Sequence, residues 1–270
     1  MATGKKTNEE LKASKLFDVS GFTAVVTGGG TGIGLMITQA LVSNGARVYI
    51  TGRREEALHS VVDQYNTGPG EIIALPGDIS IKDDIKRLAD ELTQKESKGI
   101  HLLVNNAAIA RDNHTRFSTA GKPDFKSAQS ISQHLMQSEP EEWQETFNTN
   151  LTGQFFVTAA LLPLLEKGRN SVSGYTSSVV NIASISGVMK GTSSGQFAYA
   201  TSKAGFIHLT RMMATTFAET KIRVNCIAPG IFPSEMTAGS SGDDQKSTLD
   251  MEMSNPAGTF QIRSLPEGNN

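Results

Sequence analysis

Six short runs rich in β-branched residues alternate with longer helical patterns along this 270-residue chain, and that alternation leaves few folds open. The runs are FTAVVTG from Phe22, ARVYITG from Ala46, EIIALPGD from Glu71, HLLVNNA from His101, SSVVNIAS from Ser177 and IRVNCIAPG from Ile222. Near-continuous apolar character is what a strand needs when both of its faces are covered, as in a parallel sheet whose crossovers are helices. Helices are expected at roughly 32–43, 54–65, 81–96, 141–166 and 202–219. Ser80 followed by Asp83 offers a capping-box-like start to the third, and Gly45 and Gly168 punctuate helix ends. The chain therefore reads as one doubly wound α/β domain over 1–270, with a core of about 16–237 and an irregular tail of 238–270.

Two segments break the rhythm. From Arg111 to Pro140 the chain is polar and too long for an ordinary connection, so it reads as an insertion carrying a short helix near Ile131–Gln137. After Thr237, AGSSGDDQKS reads as loop.

Bulk properties narrow the function. With 25 Lys and Arg against 27 Asp and Glu, no basic field exists for a nucleic-acid backbone or an anionic membrane, so neither is an expected partner. The lone cysteine, Cys226, excludes an intrachain disulfide and is expected as a small buried side chain in its strand. The first twenty residues are polar, and even the apolar stretch from Phe155 to Leu165 is too short to span a bilayer, so a cytoplasmic protein is expected. His59, His101, His114, His134 and His208 show no ligand spacing, and no metal site is expected.

The first strand runs straight into TGGGTGIG, Thr27 to Gly34, and then into an apolar helix. Glycines there let backbone approach a pyrophosphate held at a helix N-terminus, which makes Gly28, Thr31, Gly32, Ile33 and Gly34 candidate dinucleotide contacts. The second strand ends in ITGRRE, with no carboxylate to accept from a ribose 2′-OH. Arg53 is a candidate donor to a 2′-phosphate, so NADPH is favoured over NADH. Arg54 reads equally as a second donor or as a solvated helix start. Asp78 is a candidate acceptor for the adenine amino group. Asn105 and Asn106 in LVNNAA either hold the ribose or tie strand ends together.

The fifth strand ends at Ser184, and Tyr199 and Lys203 share one helical face at an i, i+4 spacing in YATSK. A nearby ammonium stabilises a phenolate, so Lys203 is expected to lower the Tyr199 pKa, while Ser184 hydrogen-bonds a substrate oxygen. The loop GVMKGTSSGQFA between them is expected to border the substrate.

Taken with TGGGTGIG, Asp78, LVNNAA, Asn150 in FNTNLTG and VNCIAPG, these residues resemble the short-chain dehydrogenase/reductase family over roughly 16–237. The wording of APGIFPSEMT is most similar to fungal and bacterial reductases related to rhamnolipid-type β-ketoacyl reductases. The resemblance implies a Rossmann-type fold and an NADP(H)-dependent oxidoreductase acting on a small-molecule ketone or secondary alcohol, with Tyr199 as acid/base. It also implies that Asn150 kinks its helix and holds a water in a proton relay to Lys203, whose ammonium binds the nicotinamide ribose. Phe232 and Ser234, following Pro229 and Gly230, are implied to meet the nicotinamide carboxamide. A homodimer or homotetramer built on the two long helices is implied as well. The departure from the family lies in the tail: TLDMEM offers one or two helical turns and TFQIRSL a short strand, leaving the seventh strand missing. That departure keeps an alternative open, a catalytically weak dinucleotide-binding relative serving as sensor or assembly partner, and it predicts a less stable, less uniformly tetrameric chain with a more open pocket.

Overall fold

In the computed structural model, residues 8–172 and 174–248 are described, together with the backbone of Ser254–Asn255 and Gly258–Thr259. All six expected strands form: β1 Thr23–Thr27, β2 Arg47–Thr51, β3 Glu71–Ala74, β4 Leu102–Asn105, β5 Ser178–Ile182 and β6 Arg223–Ile227. They make one parallel sheet in the order β3-β2-β1-β4-β5-β6. Registers such as Val25 opposite both Tyr49 and Leu103 put alternate side chains on opposite faces.

On one face Val25, Leu103, Val179 and Val224 pack under the helices α3 (Lys82–Lys95), α6 (Gln154–Gly168) and α7 (Phe197–Thr216). On the other, Ala24, Val26, Val48 and Ile50 pack under α1 (Gly32–Ser43) and α2 (Glu55–Tyr65). The sheet is thus covered on both faces as expected, except on the second face at β6. Among the described residues no helix lies over it at β6, so Arg223, Asn225 and Ile227 are exposed, the last at 54%. No described strand pairs with the outer edge of β6 either, and Cys226 is only half-buried there. Apart from Thr248 and Thr259, TLDMEM and TFQIRSL lie outside the described residues, although Ser254–Asn255 and Gly258–Thr259 pair antiparallel.

Several element ends differ from expectation. The long helix expected at 141–166 is three pieces: α5 (Pro140–Phe147), a π-helical turn at Asn148–Gly153, and α6. A Cβ on Gly153 would lie 2.3 Å from the Ile79 carbonyl oxygen, so the widened turn is where this helix crosses close over the loop after β3. The helix of the insertion, α4, spans Ala128–Leu135, three residues ahead of its expected start, because Ser127 caps it by accepting from Ser130 N–H at 3.2 Å. α3 starts without the expected box. The Ser80 hydroxyl donates to Asp78 Oδ1 at 2.7 Å, and Asp84 accepts instead from Asp78 N–H at 2.8 Å. The loop after Thr237 folds back on α2, where Tyr65 donates to the Asp244 carbonyl at 2.6 Å.

Candidate functional site

The strand order reverses between β1 and β4, and at the carboxyl ends of these strands the sheet opens into a cleft of about 720 Å³. Thr27 closes β1, and its Oγ1 accepts from the N–H groups of Asn106 (2.9 Å) and Ala107 (3.0 Å), joining the ends of β1 and β4. Gly28 follows with φ +66°, and a Cβ there would come within 2.9 Å of Ala107 Cα, so only glycine fits. The chain then enters α1 through Thr31, whose side chain makes no cap bond among the described residues, leaving first-turn N–H groups free beside the cleft. Gly28, Thr31, Gly32 and Ile33 line it as expected. Gly34 does not: a Cβ on it would lie 1.9 Å from the Gly28 carbonyl oxygen, which makes it the residue that lets α1 pack against the loop.

Arg53 and Asp78 stand at the rim. Arg54 is the N-cap of α2 and reaches the opposite bank, where it pairs with Glu235 at 2.8 Å. Asp78 Oδ1 is engaged by the N–H and hydroxyl of Ser80. The Asn105 side chain is not in the cleft. It is fully buried, donating to Thr158 Oγ1 (2.8 Å) and Asn181 Oδ1 (2.9 Å), and its own Oδ1 has no partner among the described residues. Asn106 lines the cleft in its place and donates to the carbonyls of Thr27 (3.0 Å) and Gly28 (3.2 Å).

At the inner end, Ser184 lies two residues beyond β5, and its hydroxyl accepts from Ser186 N–H at 3.1 Å. Burial holds the Tyr199 pKa above its ordinary value, and the Ser184 side chain works against that rise. The expected lowering by Lys203 is not what the structure gives. The Lys203 ammonium is buried, donates to the Ile182 carbonyl at 2.8 Å, and lies 5.9 Å from the centre of the Tyr199 ring. Loss of water around that ammonium brings its pKa down to about 8. Tyr199 and Lys203 both line the cleft.

Asn150 sits in the π-helical turn, fully buried and off the cleft wall. Its Oδ1 accepts from Ile109 N–H (2.8 Å), and its Nδ2 donates to the Ile109 carbonyl (2.9 Å) and to Ser202 Oγ (3.0 Å). It thus ties the segment after β4 to α7 one residue before Lys203. Gly230, Phe232 and Ser234 line the far bank, whereas Pro229 is off the wall and its carbonyl accepts from Ile185 N–H at 2.9 Å.

Sequence reasoning missed several residues that build this region. Gln154 donates to the Ala107 carbonyl at 2.5 Å, Glu235 meets Arg54, and the Asp112 carboxylate accepts from the N–H groups of Ala198 (2.7 Å) and Tyr199 (3.2 Å). Asp112 explains why α7 begins at Phe197, five residues ahead of expectation: a carboxylate caps its first turn from elsewhere in the chain. Among the described residues no three His, Cys, Asp or Glu side chains converge on a metal position, and no helix is long and apolar enough to cross a membrane.

The family model described as short chain dehydrogenase matches residues 22–245. The short-chain dehydrogenase/reductase PhomF of Diaporthe leptostromiformis is 42% identical over 229 residues, covering 85% of this chain and 76% of that protein. The rhamnolipids biosynthesis 3-oxoacyl-(acyl-carrier-protein) reductase of Pseudomonas aeruginosa is 34% identical over 230 residues, covering 85% and 80%. Among solved structures, the Pseudomonas aeruginosa RhlG/NADP active-site complex superposes with a TM-score of 0.68 at 32% identity, covering 82% of this chain and 77% of that one. A match that runs from the strand before the glycine loop to beyond the far bank of the cleft makes this chain a member of the short-chain dehydrogenase family.

Proposed function

We propose that this chain is an NADP(H)-dependent oxidoreductase that reduces a ketone or other carbonyl to a secondary alcohol, or runs the reverse, with Tyr199 as its acid/base. The observation that carries the proposal is the cleft that brings Tyr199 and Lys203 together with a bare helix N-terminus and Arg53. The chain's likeness to the NADP complex of RhlG and to 3-oxoacyl reductases of several bacteria supports it.

The cradle suits a dinucleotide. Gly28 and Gly32 let the backbone of the loop run along the cleft against Ala107 and Ser234 with no side chain in the way, and the first-turn N–H groups of α1 offer donors to a pyrophosphate. Arg53 would hold the 2′-phosphate, Asp78 the adenine edge, Lys203 the ribose, and Gly230, Phe232 and Ser234 the carboxamide end. NADPH, when bound, supplies the hydride. The hydroxyls of Ser184 and Tyr199 hydrogen-bond the substrate oxygen, and Tyr199 gives it a proton as negative charge develops there. A phenol held above its ordinary pKa stays protonated at neutral pH, which is the form reduction requires. Lys203, with its pKa near 8, is mostly charged at pH 7 and can return the proton. We also read the protein as cytoplasmic and as a homodimer or homotetramer that is less uniform than a full-length relative, to be checked by cell fractionation and light scattering.

The test is NADPH oxidation against a panel of ketones, aldehydes and β-ketoacyl thioesters, with Tyr199→Phe beside the unmodified protein. The variant should lose at least about 10²-fold in turnover, as expected for a lost general acid, while binding NADPH almost unchanged. Turnover equal to that of the unmodified protein would sink the mechanism.

A further inference from the structure

We infer that Asp112 is a positioning residue for this reaction: from the segment after β4 its carboxylate holds the first turn of α7 and so sets where the Tyr199 hydroxyl stands. The inference rests on the function proposed above.

The N-cap of α7 is Gln196, which makes no side-chain cap bond among the described residues, so the donors of the first turn need an acceptor from elsewhere. Asp112 provides two, one carboxylate oxygen for Ala198 and the other for Tyr199 itself. The residue is only 3% exposed. A carboxylate taken out of water at that depth must be hydrogen-bonded, and the positive end of a helix is a favourable place for it.

Neighbouring contacts show the same segment gripping the approach to α7. Thr115 donates to the Gly195 carbonyl at 2.8 Å, and His134 in α4 bonds the Thr115 carbonyl at 2.9 Å. Gly195 has φ +85° and passes so close that a Cβ would lie 2.0 Å from the Thr115 carbonyl oxygen. Before it, Ser193 (φ 51°) and Ser194 (φ 57°) are non-glycine residues in the left-handed region, a conformation that persists only when surrounding contacts impose it. At the other end of the segment, Ile109 is clamped on both its N–H and its carbonyl by Asn150. Residues 109–115 therefore span from the π-helical turn to the helix that carries Tyr199. This is work that part of the 111–140 insertion does for the site.

A cap that touched only Ala198 would be a matter of stability. Because one oxygen takes the N–H of Tyr199, its loss frees the backbone of the acid itself, and a displacement of about 1 Å at a reacting group costs on the order of 10²-fold in rate. Asp112→Ala should lower kcat by about 10- to 100-fold, while the NADPH dissociation constant stays within about twofold, since the glycine loop and Arg53 are untouched. Asp112→Asn keeps one acceptor and should recover kcat to within about tenfold of the unmodified protein. Thr115→Val is the control: it removes a hydrogen bond of the same segment to Gly195, and should lower the melting temperature with kcat nearly unchanged. Asp112→Ala with unaltered kcat overturns the inference, and so does a parallel fall of kcat and NADPH affinity in that variant. Should the unmodified protein show no Tyr199-dependent turnover, the proposed reaction falls and this inference with it. Tyr199-dependent turnover that ignores Asp112 would remove only the inference.

Discussion

Arg53 and Arg54 are neighbours in the chain with different surroundings, and the difference decides which one should matter to cofactor choice. Arg54 is already engaged across the cleft by Glu235, while Arg53 stands at the rim with no carboxylate beside it in ITGRR. Arg53→Asp should therefore cost about 10- to 100-fold in NADPH affinity, the worth of a charge-assisted hydrogen bond, and narrow or reverse the preference over NADH. Fluorescence titration of both cofactors measures it, and equal affinities in the unmodified protein would count against the assignment. At this scale the legible residues were those whose partners lie close in sequence. Tyr199 and Lys203 share a helical face, and the glycine loop announces itself between a strand and a helix. Asp112 and Glu235 were illegible because their partners lie 86 and 181 residues away. Asn105 and Asn106 could not be told apart for a related reason: consecutive residues at a strand end point in opposite directions, and nothing local says which one faces the cleft.

Elements were legible where burial dictates composition. All six strands formed where β-branched runs placed them, because a parallel strand covered on both faces has no polar side to confuse the pattern, and only β6 carries exposed Arg223 and Asn225 on one side. Helix ends fared worse. The start of α7 is set by a remote carboxylate, and the break between α5 and α6 by a crossing over the Ile79 carbonyl, neither of which leaves a periodic trace. Gly168 shows how a correct expectation can have another cause. It was expected to end its helix, and it is the last residue of α6, but a Cβ there would sit 1.9 Å from the Ile100 carbonyl oxygen. The glycine is required because α6 lies directly against the chain entering β4. Gly168→Ala should destabilise by about 1–3 kcal/mol, the usual cost of overpacking, and lower Tm by a few degrees. Cofactor affinity should be unaffected, because Ile100 is at the opposite end of the sheet from the cleft. A variant that melts with the unmodified protein would show that α6 can shift without penalty.

For the whole molecule, the second face at β6, uncovered among the described residues, outweighs any single contact. Each Å² of apolar surface left in water there forgoes about 25 cal/mol, and the outer edge of β6, which no described strand pairs with, offers backbone groups to other chains. The expected outcome is a broad, concentration-dependent distribution by light scattering and a modest melting temperature. NADPH at about 100 times its dissociation constant should add close to 2.7 kcal/mol to stability. A sharply melting, uniform tetramer without cofactor would refute this. The strand order carries a separate consequence, one of timing. During synthesis β1 pairs with β2 as soon as both exist, yet its other edge waits for β4 until β3 and the intervening helices have been made. At about 5–20 residues per second that wait lasts several seconds, with Ala24, Val25 and Val26 open to neighbouring nascent chains. The strand most vulnerable to mispairing on the ribosome is thus one that ends up in the centre of the finished sheet, and a cell that slowed translation between β3 and β4 would lengthen its exposure.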